Sequence, residues 1–197
     1  MIQLLQQLRS APNLLTLMRL IVLPFAVIAV LKGHYGWALT IFVAAGISDG
    51  LDGLLARIME QQTTLGQYLD PIADKLLLST MFLVLFATRK IPLTVTVLVF
   101  SRDIMIVIIC TLLYVTGAMK TFRPTWLGKA NTVAQIGTVL VVLLYEVRSE
   151  YWIAKVRQLG FNLTAALTVL SGVHYVIRTA FQLRHQTGDS KAEEGGG

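Results

Sequence analysis

The chain has 197 residues, 55% of them hydrophobic and only 14% charged, with a mean hydropathy of +0.66; soluble domains carry roughly a quarter of their residues as charges, so this is the composition of an integral membrane protein. The net charge of +6 does not indicate nucleic acid, because the basic residues are scattered between apolar blocks without interleaved aromatics; anionic lipid headgroups or a phosphate-bearing substrate account for it better. Cys110, the one cysteine, excludes an internal disulfide and a thiolate metal cluster.

The apolar blocks are long and lack the alternation of about ten residues per strand that marks a membrane barrel. The expected fold class is therefore all-α: six transmembrane helices preceded by a short N-terminal interfacial helix. "MIQLLQQLRS" puts Ile2, Leu5 and Leu8 roughly on one face, which predicts a juxtamembrane amphipathic helix over 1–11. After Pro12 the first span is expected over Asn13–Leu31, closed by the turn "KGHYG". The second covers Trp37–Arg57 and the third Gly66–Ala87, followed by the turn "TRKIP". The remaining spans are Leu93–Ala118, Leu127–Tyr145 and Phe161–Leu183, giving one membrane domain over 12–184. The polar tail, 185–197, is predicted to be disordered. Trp37, Trp126 and Trp152 fall near span ends, as an aromatic belt requires. Basic residues near the helix ends on the side of the termini, Arg19, Arg57, Lys75 and Arg178, tilt that side to the cytoplasm.

Two acidic pairs interrupt this apolar pattern: Asp49 and Asp52 in "SDGLDGLLAR", and Asp70 and Asp74 in "GQYLDPIADK". Spacings of three and four put each pair on one helical face. The link between the second and third spans is short, so both pairs fall at the same side of the membrane. Isolated carboxylates near a membrane core cost roughly several kcal/mol each, and four together repel one another unless protonated or matched by cations. Oxygen donors of this kind suit hard divalent ions, and two such ions balance four carboxylates. Gly50, Gly53 and Gly66 leave backbone uncovered beside the acids, and Arg57 projects toward the rim, where it can hold a phosphate or pair with an acid.

The positions Asp49, Asp52, Gly53, Ala56, Arg57, Gly66, Asp70 and Asp74 spell D-x-x-D-G-x-x-A-R-x(8)-G-x-x-x-D-x-x-x-D without a departure. This resembles the signature of the CDP-alcohol phosphotransferase family. "PNLLTLMRLIVLP" resembles the opening of its bacterial phosphatidylglycerophosphate synthases, whereas "SRDIMIV" and "RPTWLGKANTVAQ" are more similar to its cardiolipin synthases. The resemblance implies a homodimer of six-helix chains in a bacterial inner membrane, with the site facing the cytoplasm. It implies two divalent cations, Mg2+ or Mn2+, held by Asp49, Asp52, Asp70 and Asp74, with Asp74 also the general base. It further implies CDP bound by Gly53, Ala56, Arg57 and Gly66, and a phosphatidyl group passing from CDP-diacylglycerol to an acceptor hydroxyl with loss of CMP.

The acceptor is read from the cations. Arg102 lies mid-span, and its neighbour Asp103 is expected on a different helix face, leaving Arg102 to bind an anionic acceptor together with Arg123 and Lys129. Glycerol 3-phosphate or phosphatidylglycerol fits. His34 and His174 lack metal-ligand spacing and are read as packing or interface residues. Two other classes of protein carry intramembrane carboxylates. An intramembrane prenyltransferase also uses acid-rich motifs with Mg2+, usually on helices far apart in the chain. A carboxylate-based cation transporter predicts repeated halves and polar groups leading to both sides, and no internal repeat is visible.

Overall fold

The computed structural model describes the backbone of residues 11–58, 64–115 and 126–194, with side chains over 18–48, 75–109, 111 and 126–180. Its regular structure is all-helical: α1 (Ala11–Leu31), α2 (Tyr35–Ile58), α3 (Thr64–Ala87), α4 (Leu93–Val115), α5 (Trp126–Val147) and α6 (Tyr151–Glu194). The chain forms two compact units. The first comprises residues 1–92 and 136–158 and the second residues 93–135 and 159–197, so α5 and α6 contribute to both. The segment expected as an interfacial helix, 1–11, lies outside the described residues but for Ala11.

Helix starts and ends fall within about two residues of the sequence expectation for α1 to α3 and α5, because the punctuation is strong. Pro12 stands in the first turn of α1, where its missing N–H costs nothing. The end of α1 is closed by Gly33 at φ 76°, with His34 N donating to Ala29 O at 2.8 Å and Gly33 N to Val30 O at 3.0 Å, a Schellman cap. The same bonds close α3: Lys90 N donates to Leu85 O and Arg89 N to Phe86 O, with Arg89 taking the left-handed φ of 60°.

The last helix departs from expectation at both ends. It starts at Tyr151, ten residues before Phe161, because "YWIAKVRQLG" is itself amphipathic: Ile153 is buried while Tyr151, Trp152 and Lys155 face outward. It also runs through 185–194, where the polar composition predicts disorder. Gln, Lys, Ala and Glu are good helix formers, and an established helix is extended without a new nucleation cost.

In the first unit α1 packs against both α2 and α3. Small buried residues, Ala26 and Ala29 on α1 and Ala38 and Ala45 on α2, let these backbones approach, and Phe82, Met81 and Leu85 of α3 with Val142 and Leu143 of α5 fill the interior. The interior of the second unit is more polar: Thr96, Asn131, Gln135, Thr164, Thr168 and Ser171 are all buried. The outside is the reverse, with Ile21, Phe25, Ile104, Val107, Leu170 and Val173 each more than half exposed. Among the described residues, two helical stretches, Trp126–Val147 and Tyr151–Ala180, are long and apolar enough to cross a membrane; Met18–Leu31, Tyr35–Ser48 and Lys75–Ala87 are shorter apolar helices.

Candidate active site

The acidic pairs both belong to the first unit, Asp49 and Asp52 on α2 and Asp70 and Asp74 on α3. Their relative level follows from the opposite end of the same helices. Lys90, three residues beyond α3, holds its ammonium 5.2 Å from the ring centroid of Tyr35, the first residue of α2. The start of α2 and the end of α3 therefore lie toward the same end of the first unit, and the two helices run in opposite directions. At ~1.5 Å per residue, Asp49 and Asp52 lie ~21 and ~26 Å from that end along α2, and Asp74 and Asp70 lie ~20 and ~26 Å from it along α3. By residue count Asp49 and Asp74 stand at similar distances from that end, as do Asp52 and Asp70. Arg57 closes the last turn of α2 and Gly66 opens α3; Gly53 and Ala56 lie between Asp52 and Arg57.

Sequence reasoning used Arg19 only as a charge near a helix end. It is only 4% exposed and stands twelve residues before the end of α1, ~18 Å up from the turn into α2 and so close to the lower acid level. It lines a crevice of about 220 Å3 between α1 and α2. That crevice runs along Met18 and Val22 on one wall and Trp37 and Ile41 on the other, reaching Ser48, the residue before Asp49. The signal in the sequence was a lone cation inside an apolar run, which is functional by default in a membrane setting.

The other end of the unit is a network of charged and aromatic side chains. Lys90 Nζ donates to Glu146 Oε2 at 2.5 Å, Arg157 Nη1 lies 3.8 Å from Glu146 Oε1, and the Arg157 guanidinium stacks 4.0 Å from the Tyr145 ring centroid. The hydrogen bond to Glu146 is the main reason the Lys90 ammonium titrates above its usual 10.5; the charge of Glu146 and Tyr35 add to this, and partial burial opposes it.

Of the residues expected to hold the acceptor, Arg102 and Lys129 lie in the second unit, Lys129 exposed near the start of α5. Arg123 lies outside the described residues. Arg102 corrects one expectation: its Nη1 donates to Asp103 Oδ1 at 3.0 Å. Adjacent helical residues do diverge by about a quarter turn, yet the long arginine side chain reaches back across that gap when both groups are kept from water, here with 12% of each side chain exposed.

Residues 9–177 match the family model for CDP-alcohol phosphatidyltransferase. The chain belongs to the CDP-alcohol phosphatidyltransferase family. It is similar to the CDP-diacylglycerol--glycerol-3-phosphate 3-phosphatidyltransferase of Salmonella choleraesuis, 32% identical over 174 residues that cover 85% of this chain and 93% of that protein. It is also similar to the rat cardiolipin synthase (CMP-forming), 32% identical over 145 residues, covering 64% of this chain and 47% of the rat protein. A putative cardiolipin synthase of Mycobacterium tuberculosis (strain ATCC 25618 / H37Rv) is 34% identical over 124 residues, covering 62% of this chain and 59% of that protein. The aligned part thus spans about half the rat cardiolipin synthase and nearly all of the Salmonella transferase. The matched range contains all eight signature positions.

Proposed function

We propose that the chain crosses the membrane six times and transfers the phosphatidyl group of CDP-diacylglycerol to a glycerol-type anionic acceptor, glycerol 3-phosphate or phosphatidylglycerol, releasing CMP. The observation that carries this reading is the full eight-position signature, Asp49, Asp52, Gly53, Ala56, Arg57, Gly66, Asp70 and Asp74, lying inside the range matched by the family model. Support for the membrane setting comes from the inverted polarity of the helices, apolar outside and hydroxyl- and amide-bearing inside. Helix lengths of 21 to 24 residues for α1 to α5 match the roughly 20 that a span needs.

The donor set fits a pair of hard cations, since every candidate ligand is a carboxylate. Asp49, Asp52, Asp70 and Asp74 would hold two Mg2+ or Mn2+ ions, which when bound neutralise the diphosphate and polarise its phosphorus. The chain's own residues do the rest. Asp74 accepts the acceptor's hydroxyl proton as its oxygen bonds to the phosphorus carrying the diacylglycerol; the bond from that phosphorus to the bridging oxygen breaks, and CMP departs with that oxygen. Gly53, Ala56 and Gly66 leave room for the nucleotide, and Arg57 offers a planar fork to its phosphate. Arg19 contributes a positive charge near the acids, and the crevice beside it takes part of a donor acyl chain. Arg102, Arg123 and Lys129 attract the anionic acceptor. The working form is a homodimer in a bacterial inner membrane, its acidic end toward the cytoplasm.

The test is turnover of the purified full chain with CDP-diacylglycerol and Mg2+ or Mn2+. CMP release is expected with glycerol 3-phosphate or phosphatidylglycerol and absent with serine or inositol phosphate. No CMP with any acceptor overturns the proposal.

A further inference from the structure

The end of the first unit away from the acids is rich in cations. Three contacts gather its connections: Lys90 to Tyr35 joins the α1–α2 turn to the residues after α3, Lys90 to Glu146 brings in the end of α5, and Arg157 to Glu146 brings in the start of α6. Lys32, Arg89, Lys90, Arg148, Lys155 and Arg157 stand in or beside these connections, and the same segments carry two acids, Glu146 and Glu150. Glu146 answers Lys90 and Arg157, and Glu150 accepts from the Trp152 indole. Lys32, Arg89, Arg148 and Lys155 are exposed, and among the described residues none of the four pairs with a carboxylate.

A helix dipole favours a cation just past its C-terminus, which explains one basic residue after each of α1, α3 and α5. It does not explain Lys155, near the start of α6, where the dipole has the opposite sign. Nor does it explain Arg89, since Lys90 already stands at the end of α3. Arg89 closes that helix at φ 60°, the left-handed position where glycine is the usual cap and an arginine is strained. Its side chain is exposed, so the strain is not repaid by packing within the unit. The exposed rings at this end are those of a membrane interface: Trp37, Tyr151 and Trp152 are 70%, 77% and 57% exposed, and the Lys155 ammonium lies 4.7 Å from the Tyr151 ring centroid. Such rings settle at headgroup level, which puts the cations of the same turns among the phosphates.

We propose that this end of the first unit is a docking surface for anionic phospholipid headgroups of the leaflet opposite the acids. Lys32, Arg89, Arg148 and Lys155 hold the headgroup phosphates, and Trp37 and Trp152 fix the depth. Charge complementarity identifies the occupant: each exposed cation is drawn to a negatively charged membrane surface, and a zwitterionic headgroup supplies no such net attraction. A soluble acidic partner would leave both indoles in water, whereas a lipid surface takes them in. The surface lies ~20 Å along the helices from the nearest signature acids and asks only for negative charge, so it is separate from the donor and acceptor positions. The inference rests on the six-span reading of the proposed function and uses nothing of the transfer step.

Trp37→Phe and Trp126→Phe together leave Trp152 as the single indole. The full chain carrying both is reconstituted in phosphatidylcholine vesicles in which a minor share of the lipid has brominated acyl chains, as phosphatidylserine in one series and as phosphatidylcholine in the other. Phosphatidylserine is anionic and is neither donor nor acceptor in the proposed transfer. Bromine quenches an indole beside it, so the two quenching curves compare the lipids around Trp152. A preference for phosphatidylserine of at least about fivefold is expected at about 0.1 M salt, falling toward unity at about 1 M. Arg89→Gly should lower the preference by about twofold or more while raising the melting temperature, so a folding defect cannot account for the loss; Lys155→Gln should lower it by a similar factor. Equal quenching by the two lipids leaves the cations to a soluble acidic partner and overturns the proposal, as does a preference that neither substitution changes. Because the readout is contact with lipid, a chain that keeps the preference but releases no CMP counts only against the transferase reading.

Discussion

Glu146→Gln separates stability from activity. Glutamine keeps the size of the side chain and removes its charge. The bond lost is charge-assisted, from an ammonium whose side chain is 29% exposed to a carboxylate 12% exposed. Such bonds contribute about 1.5–3 kcal/mol net, less where one partner is partly solvated. Arg157 at 3.8 Å keeps its stacking on Tyr145 and adds at most a few tenths. The expected cost is therefore about 2 kcal/mol, or a fall in Tm of roughly 4–8 °C for a chain of this size. Because Lys90 titrates above 10.5 in the folded protein, the folded state holds this proton more tightly than the unfolded chain. The stabilisation is full below the unfolded value and is lost as pH rises through the folded one. The gap between wild type and variant should stay constant from pH 7 to 9 and close only above about 10.5. Thermal melts of the detergent-solubilised protein measure it, and CMP release at 25 °C should be unchanged, since Glu146 sits at the end of the unit opposite the acids. A shift under about 1 °C, or a gap that closes below pH 9, would refute the reasoning.

Asp74→Asn should lower CMP release by about 10²–10⁴-fold with the fold intact by circular dichroism, and Asn at Asp49, Asp52 or Asp70 should raise the Mg2+ concentration needed for half-maximal rate. Gly33→Ala should cost about 1 kcal/mol, purely from the left-handed backbone, because no atom lies within 4 Å of the added Cβ; Arg89→Gly should gain about 0.5–1 kcal/mol for the converse reason. Thr168→Val leaves Asn131 Oδ1 without its 2.9 Å donor and should lower stability by about 1 kcal/mol in the same melts.

Helix positions were legible because the breakers are local: "KGHYG" and "TRKIP" end α1 and α3 through their own φ angles and hydrogen bonds, and need no tertiary partner. The extent of α6 was not, because composition alone prices the polar stretch 185–194 as coil, whereas a helix already formed upstream carries it along. The period of Thr164, Thr168 and Ser171 along one face of α6 was readable as a buried stripe, but nothing in the sequence says that Asn131 and Gln135 meet the same interior. Arg102 is legible as a mid-span cation; that its side chain reaches back to Asp103 depends on their shared exclusion from water, which spacing does not encode. The signature acids stand out by spacing, and the Lys90–Tyr35 contact puts the start of α2 and the end of α3 at one end of the unit.

That arrangement has a consequence for stability as well as for chemistry. The acids occupy a window of ~6 Å along the helix axes, whereas Arg19 stands at its lower margin and Arg57 ~7 Å beyond its upper one. Like charges at about 4 Å repel by about 4 kcal/mol at an effective dielectric constant of 20, so the flanking arginines leave part of the repulsion for bound ions to remove. Mg2+ at a hundred times its dissociation constant should then stabilise the fold by about 2.7 kcal/mol per site, raising Tm by roughly 5–10 °C in the same detergent melts, and EDTA should reverse the gain. Glu146 is ~20 Å from this window along the helices, so the Mg2+ shift and the Glu146→Gln shift should add to within about 0.5 kcal/mol. A Tm indifferent to Mg2+ would mean the four carboxylates do not converge, and a strongly non-additive pair would mean the two ends of the first unit do not melt as separately held sites.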